Sequence, residues 1–515
     1  MGLYERAQEI LAIADPGGSA PVRVIDCVDT RIRGSSVYLH IILVLHLGKS
    51  VDFSGGRAVR GDNPERTIDQ NDNRDARDSS LSAWLRDHVY LASLIVLIAS
   101  LAPRLFLTLS ADLPELITSD TPSYFANVTS LLEHGAVLDK RQKPDVLRTP
   151  GYPVFLVALM VVTGTTAEGL KDEGLRTVLV VQAIIISWSV VLLYWLGRRI
   201  LPPVAAFTGA LLAAFSPWGV VRAGLAMTEG LYLLNLALLF LVMYLVVEHT
   251  KKLSAVVVGG VLIGLLTSAA VIVRPIWPLV IVVALALFFL CADQRKKAWV
   301  LVAVMLVSAA APIHLWKTRN QREGQFDGLS IISGINTYRS LTSSVKTKLE
   351  GVEGDRWALL EAATQEERQW KQGLSVQETN DERWRRANAF FREYPFLTVY
   401  AFGLNVGEAL IHPDPHVLKP AGLNFSGDTW MLGGLWITLL MLAGLGICST
   451  PDRGLDGGVV QRNWLITVLG ICLSLTLSSG IVFGLGSRLR TPMELIVPLL
   501  AALGLMRIIH MMRRN

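Results

Sequence analysis

Residues 226–291 read AMTEGLYLLNLALLFLVMYLVVEHTKKLSAVVVGGVLIGLLTSAAVIVRPIWPLVIVVALALFFLC. Three apolar runs, about 226–247, 253–273 and 275–291, are parted only by the short breaks EHTKK and RP. A helix needs about 20 apolar residues to cross the hydrocarbon core. Lipid offers no hydrogen bonds, so a chain that crosses it must satisfy its own backbone, which an open chain does as helix. The stretch therefore predicts three successive membrane spans, with Lys251 and Lys252 in the first connection.

Working outward, similar runs occur at about 88–109, 175–197, 203–218, 298–315, 430–448, 463–483 and 491–508, giving about ten spans in all. Two shorter apolar segments, 151–163 and 396–411, have the length of interfacial or re-entrant helices. Composition agrees: 51% of the 515 residues are hydrophobic, only 18% are charged, and the mean hydropathy is +0.44. These values exclude disordered, collagen-like and disulfide-scaffold chains and argue against a soluble enzyme. The four cysteines, Cys27, Cys291, Cys448 and Cys472, are far apart and mostly lie in or beside apolar runs, so they read as small apolar residues.

The formal net charge of +5 does not mark a nucleic-acid binder, because the positive residues fall in short clusters between apolar runs. With ten spans, Arg198–Arg199, Lys251–Lys252, Arg295–Lys297, Arg453/Arg462 and Arg507/Arg513/Arg514 all fall on one side, expected to be cytoplasmic together with both termini. Counting either short segment as a span breaks that agreement. The expected organisation is a cytoplasmic, largely disordered extension (1–87), then a membrane domain (88–315) whose first external loop is 110–174. An extracytoplasmic helical insert with an interfacial helix (316–429) and C-terminal spans (430–515) follow. The setting is a multi-pass plasma (inner) membrane.

The first external loop carries most of the chemistry. Asp120 precedes Thr121-Pro122, a pattern that suits a helix N-cap and first turn. The same carboxylate at the membrane surface could accept a proton from a hydroxyl nucleophile. Glu229, at the start of a span, is either a carboxylate stabilised by the helix dipole or a site residue, since carboxylates at membrane depth are costly. HPDPH (412–416), with Glu408 before it, fits no closed set of metal ligands and reads as a polar turn. The Asn127 and Asn424 sequons read as chance matches.

Asp120, Tyr124, Ala126 and Gly135, followed by Arg148-Thr-Pro150-Gly151-Tyr152-Pro153 before an apolar helix, resemble the first loop of GT-C glycosyltransferases. The nearest branch is the bacterial and archaeal relatives of protein O-mannosyltransferases and lipid A aminoarabinose transferases. Further similar pieces occur in the family's order: Arg104, Pro217, Thr228-Glu229, Arg274-Pro275, Gly334, Asn336, Tyr338, Arg488, Arg490 and Pro492. The resemblance covers about 88–510. It implies an all-α membrane enzyme that moves a sugar from a polyprenyl-phosphate donor to a glycan, lipid or protein acceptor on the extracytoplasmic face, by inverting displacement. Asp120 and Glu229 would be catalytic. Arg148, Arg274, Arg488 and Arg490 would bind the donor phosphate, for which a planar guanidinium is suited. Tyr124, Tyr152, Asn336 and Tyr338 would bind substrate. No metal ligand set is assigned, and a divalent cation is the one cofactor left open. Many relatives carry an acidic pair where this chain has Asp120-Thr121, so a single carboxylate would act there. The competing class is a transporter or lipid flippase, which would share spans and buried charges. The chain shows neither the repeated halves nor the paired broken helices expected of one.

Overall fold

Hydrophobicity is itself the folding signal in lipid, and the apolar runs do become helices. The computed structural model describes residues 81–249, 251–351, 356–411, 428–448, 458–481 and 490–514. All of them lie within one unit, Asp78–Asn515. The expected extension therefore lies almost wholly outside the described residues. Residues 81–87 are helical, and Leu85 is fully buried in the membrane core, ahead of the boundary expected at 88.

In chain order the helices are α1 (Val89–Ser110), α2 (Thr121–His134), α3 (Gly151–Thr163), α4 (Glu173–Ile200), α5 (Pro203–Ala214) and α6 (Pro217–Gly224). Then come α7 (Thr228–His249), α8 (Leu253–Val273), α9 (Pro278–Leu290) and α10 (Arg295–Gly324). A π turn, Asn336–Leu341, precedes α11 (Thr342–Glu350), α12 (Arg356–Trp370), α13 (Val376–Glu393) and α14 (Pro395–Ile411). The chain closes with α15 (Asp428–Cys448), α16 (Gly458–Leu477) and α17 (Met493–Arg514). Among the described residues there is no strand, only an isolated bridge between Leu138 and Pro144.

The protein is an all-α, multi-pass membrane protein. Among the described residues seven helices are long and apolar enough to cross a bilayer: α1, α4, α7, α8, α10, α15 and α17. The α5–α6 pair, bent by 52°, makes an eighth if taken as one span. The shorter apolar helices α9 and α16 fall at the two remaining expected spans, and α3 and α14 at the two expected interfacial segments. Apolar side chains that face outward, such as Leu94 and Ile98 on α1 and Val307 on α10, are normal for a surface solvated by lipid. Close helix contacts rely on small residues. A Cβ on Gly264 of α8 would lie 2.5 Å from the Met305 carbonyl of α10. Cys291 and Cys472 are buried free thiols, and Cys448 is exposed and free.

One end of the bundle gathers the basic connections. Arg199 meets His249 at 3.1 Å, Lys297 donates to the Val247 carbonyl, and Trp464 donates to Glu248 at 2.7 Å. The opposite end carries the first loop, the start of α7 and the end of α8. Beyond α10 the insert forms a small helical layer held by its own charges. Glu367, fully buried, takes a bidentate bond from Arg339 (2.7 and 2.9 Å) and a third from Arg383 (2.6 Å). Burial alone would push its carboxyl up, but the two guanidinium groups hold it down at about 2.

Candidate active site

Asp120 occupies the N-cap position of α2, yet its side chain makes no capping bond. It turns instead to Arg148, whose Nη2 donates to Oδ1 at 2.7 Å. The two side chains are 25% and 17% exposed, so the pair is half-buried and open to approach. Arg148 Nε also donates to Ser123 Oγ at 3.2 Å, and its guanidinium lies 5.0 Å from the centre of the Tyr124 ring. Burial works against the charge of Arg148, but Tyr124, Asp120 and Asp145 hold its proton affinity above the ordinary value.

The loop between Gly135 and Pro150 presents Arg148 because its own backbone is fixed. Asp145 Oδ1 accepts from Leu147 N at 2.7 Å and Arg148 N at 3.3 Å. Its Oδ2 accepts from the fully buried Asn127, which also donates to the Leu138 carbonyl. Asn127 is therefore an internal brace of this loop. From the far end of α10, Arg319 donates to the carbonyls of Asp145 (2.7 Å) and Val137 (2.5 Å). Ser330 and Ile331, just before the π turn, bond the Leu147 and Val146 carbonyls at 2.6 and 3.1 Å. The insert thus begins on top of the loop.

The second half of the site lies against the first. Tyr152, in the first turn of α3, meets Tyr124 edge-on with ring centres 5.0 Å apart. Glu229 is fully buried in the first turn of α7 and pairs with Arg274 Nη1 at 3.3 Å. Arg274 follows α8 and also lies 5.9 Å from the centre of the Tyr232 ring. Gly151 packs directly on the end of α8: a Cβ there would lie 2.7 Å from Val273 N. The structure thus holds two carboxylate–guanidinium pairs, Asp120–Arg148 beside the Tyr124–Tyr152 contact and Glu229–Arg274 at the end of α8 on which Gly151 packs.

Other expected residues sit elsewhere. Arg490 is fully buried, with its guanidinium 4.3 Å from the centre of the Trp218 ring and 4.4 Å from that of Trp436. It donates to the Leu410 carbonyl at 3.1 Å and faces Glu494 at 3.6 Å, which in turn pairs with Arg222 at 2.6 Å. Arg104, also buried, donates to the Ser100 and Ala214 carbonyls at 2.5 and 3.0 Å. Asn336 and Tyr338 share the π turn of the insert, where Tyr338 receives the Trp370 indole N–H at 3.2 Å. Arg488, the HPDPH segment and Asn424 lie outside the described residues.

Sequence reading did not single out Arg222, Glu494, Arg319, Asp145 or Gln182. A charged residue in an apolar run was the available signal for Arg222 and Glu494, since such residues are costly there and need partners.

No family model matches the chain. No curated protein matches it in sequence. Among solved structures it is similar to the AglB oligosaccharyltransferase of Archaeoglobus fulgidus in complex with an inhibitory peptide and a dolichol-phosphate. The identity is 14% and the TM-score 0.49, covering 84% of this chain and 52% of that one. Another Archaeoglobus fulgidus oligosaccharyltransferase structure, tethered to an acceptor peptide containing an NVT sequon, gives 15% identity and a TM-score of 0.47 over 83% of this chain and 50% of that one. ArnT from Cupriavidus metallidurans, bound to undecaprenyl phosphate, gives 14% and 0.36 over 83% and 78%. The chain spans about half the length of the archaeal structures. AglB and ArnT are GT-C fold membrane glycosyltransferases.

Proposed function

We propose that the protein is a membrane glycosyltransferase that moves a sugar from a polyprenyl-phosphate donor to an acceptor hydroxyl at the extracytoplasmic surface. The observation that carries this reading is the Asp120–Arg148 pair: a carboxylate at a helix start that does not cap its helix but faces a guanidinium at 2.7 Å. A carboxylate able to take a proton and a guanidinium able to bind phosphate lie side by side, which supports this reading. The resemblance in the first loop names the same two residues for those roles.

In this mechanism the acceptor oxygen attacks the anomeric carbon while the bond from that carbon to the phosphate oxygen breaks. The hydroxyl proton passes to Asp120, and the lipid phosphate leaves with the electron pair. Negative charge grows on the phosphate, and guanidinium groups already in position stabilise it without reorganising. Arg148 and Arg274 serve that role. As the phosphate draws on Arg148, its pairing with Asp120 weakens, which raises the carboxylate's proton affinity when a base is needed. Glu229 holds Arg274 in place, and Tyr124 and Tyr152 form the wall between the two pairs. Arg490 lies between the Trp218 and Trp436 indoles and faces Glu494.

A divalent cation does not fit this arrangement. Among the described residues no group of three or more His, Cys, Asp or Glu side chains converges. Asp120 and Glu229 are each held by a guanidinium.

The test is transfer of labelled sugar from synthetic polyprenyl-phosphate donors by the purified full-length protein, with Asp120→Asn alongside. Wild-type turnover that falls at least about 100-fold in the variant is expected for loss of a general base. Full activity in Asp120→Asn would overturn the base. Absence of transfer from any such donor, together with donor translocation in liposomes, would make the protein a flippase.

A further inference from the structure

Gln182 sits within the outer half of α4 and is fully buried among apolar neighbours. An unpaired amide in such surroundings costs about 1–3 kcal/mol, so its partners matter. Its Oε1 accepts from the Tyr152 hydroxyl at 2.8 Å. Its Nε2 donates to the carbonyls of Ala223 at 2.9 Å and Leu225 at 2.8 Å. Carbonyls can only accept, so this network fixes which end of the amide is which.

The two carbonyls belong to the end of α6 and to Leu225, which closes it. The chain is then non-helical until α7 starts at Thr228. The far side of this break is also pinned. Thr121, next to Asp120, donates to the Ala226 carbonyl at 3.0 Å, and Ala226 N donates to the Leu116 carbonyl at 3.3 Å. Glu229 follows directly. On its other side Gln182 holds Tyr152, which meets Tyr124 edge-on, and Arg148 lies over the Tyr124 ring. One amide therefore ties Tyr152, which meets Tyr124, to the break that precedes Glu229. A leucine would fill the space, but only a group with one acceptor and two donors meets a hydroxyl and two carbonyls at once.

We infer that Gln182 is a positioning residue for the reaction proposed above, on which this inference rests. It keeps the Tyr152 hydroxyl and the 225–227 break in one register, so that the Arg148 side and the Glu229–Arg274 side act on the same substrate.

The test uses full-length Gln182→Met, Tyr152→Phe and the double variant in detergent, with two readouts. In hydrogen exchange, Gln182→Met should raise exchange at 225–229 and 151–154 and leave α13 unchanged. In labelled-sugar transfer, each single variant should lower kcat by about 10–100-fold, the scale set by small misplacements in a site. KM should shift less than about threefold, and the double variant should match Gln182→Met alone, because both changes remove the same bond. Losses that multiply in the double variant, or a uniform rise in exchange, would overturn the inference. If Gln182→Met does not accumulate, Tyr152→Phe decides, and unchanged kcat there refutes the role. If the wild type transfers no sugar, the proposed reaction fails on its own and exchange alone judges Gln182: a rise confined to the two segments supports it, and any other pattern refutes it.

Discussion

Gly151→Ala tests whether the two halves of the site are truly packed together. A Cβ at Gly151 would lie 2.7 Å from Val273 N and 2.8 Å from both the carbon and the oxygen of the Ile272 carbonyl. These are backbone atoms in the last turn of α8, immediately before Arg274, so no side chain can rotate away. Ordinary contact begins near 3.4 Å, so α3 and α8 must separate by about 0.7 Å. Overpacking of this kind costs about 1–3 kcal/mol. The same separation moves Tyr152 away from Arg274, and since misplacement by about 1 Å can cost about 100-fold in rate, a loss of roughly tenfold or more in kcat is expected. Thermal unfolding followed by tryptophan fluorescence and sugar transfer should be measured on one preparation. Gly403→Ala is the control: no atom lies within 4 Å of its Cβ, it sits inside α14, and alanine there should stabilise by about 0.5–1 kcal/mol. A Gly151→Ala protein with wild-type midpoint and wild-type kcat would refute the packing of α3 on α8.

Arg148→Met removes the bonds to Asp120 and Ser123 and the stack on Tyr124, together about 2–4 kcal/mol. In steady-state transfer kinetics, loss of the cation that would stabilise the leaving phosphate should lower kcat/KM by about 100–1,000-fold, and an unchanged value would remove Arg148 from the site. The insert should lose stability in acid. The Glu367 carboxyl titrates at about 2 when folded against 4.5 for the free group, so its stabilisation is present above pH 4.5 and is lost as pH falls toward 2. That is roughly 3 kcal/mol, and Glu367→Gln should already lack it at pH 7, as read by hydrogen exchange in α12 and α13.

What the sequence made legible follows from what lipid demands. The expected spans became helical because the apolar run is both the solvent match and the fold signal, although 203–218 broke into the bent α5–α6 pair and the helices at 275–291 and 463–483 are short. The Glu229–Arg274 pairing is also readable in principle: α7 and α8 form an up-down hairpin across a short basic connection, which brings the start of one beside the end of the other. The packing of Arg490 was not readable. Trp218 and Trp436 come from distant segments, and an arginine near a helix start looks the same whether it faces headgroups or two indoles. Gln182 was hidden for a related reason: one amide in a long apolar run carries no periodicity, and its partners lie on α3 and at the end of α6. Arg319 looked like an ordinary polar residue of the insert, because the reach of α10 beyond the membrane was not anticipated.

That reach has a geometric consequence. The 30 residues of α10 span about 45 Å at 1.5 Å per residue, against a hydrocarbon thickness of about 30 Å. Lys297 and Lys317 bracket about 30 Å of that length, so each can sit at one boundary of the hydrocarbon. Arg319 then stands just above the upper boundary, holding the carbonyls of Val137 and Asp145. The helix would then work as a depth gauge: its length, measured from the basic end, would set the height of the Arg148 loop over the lipid. In the reaction proposed above, that height would bring the loop level with the headgroups, where the phosphate of a lipid-linked donor would lie.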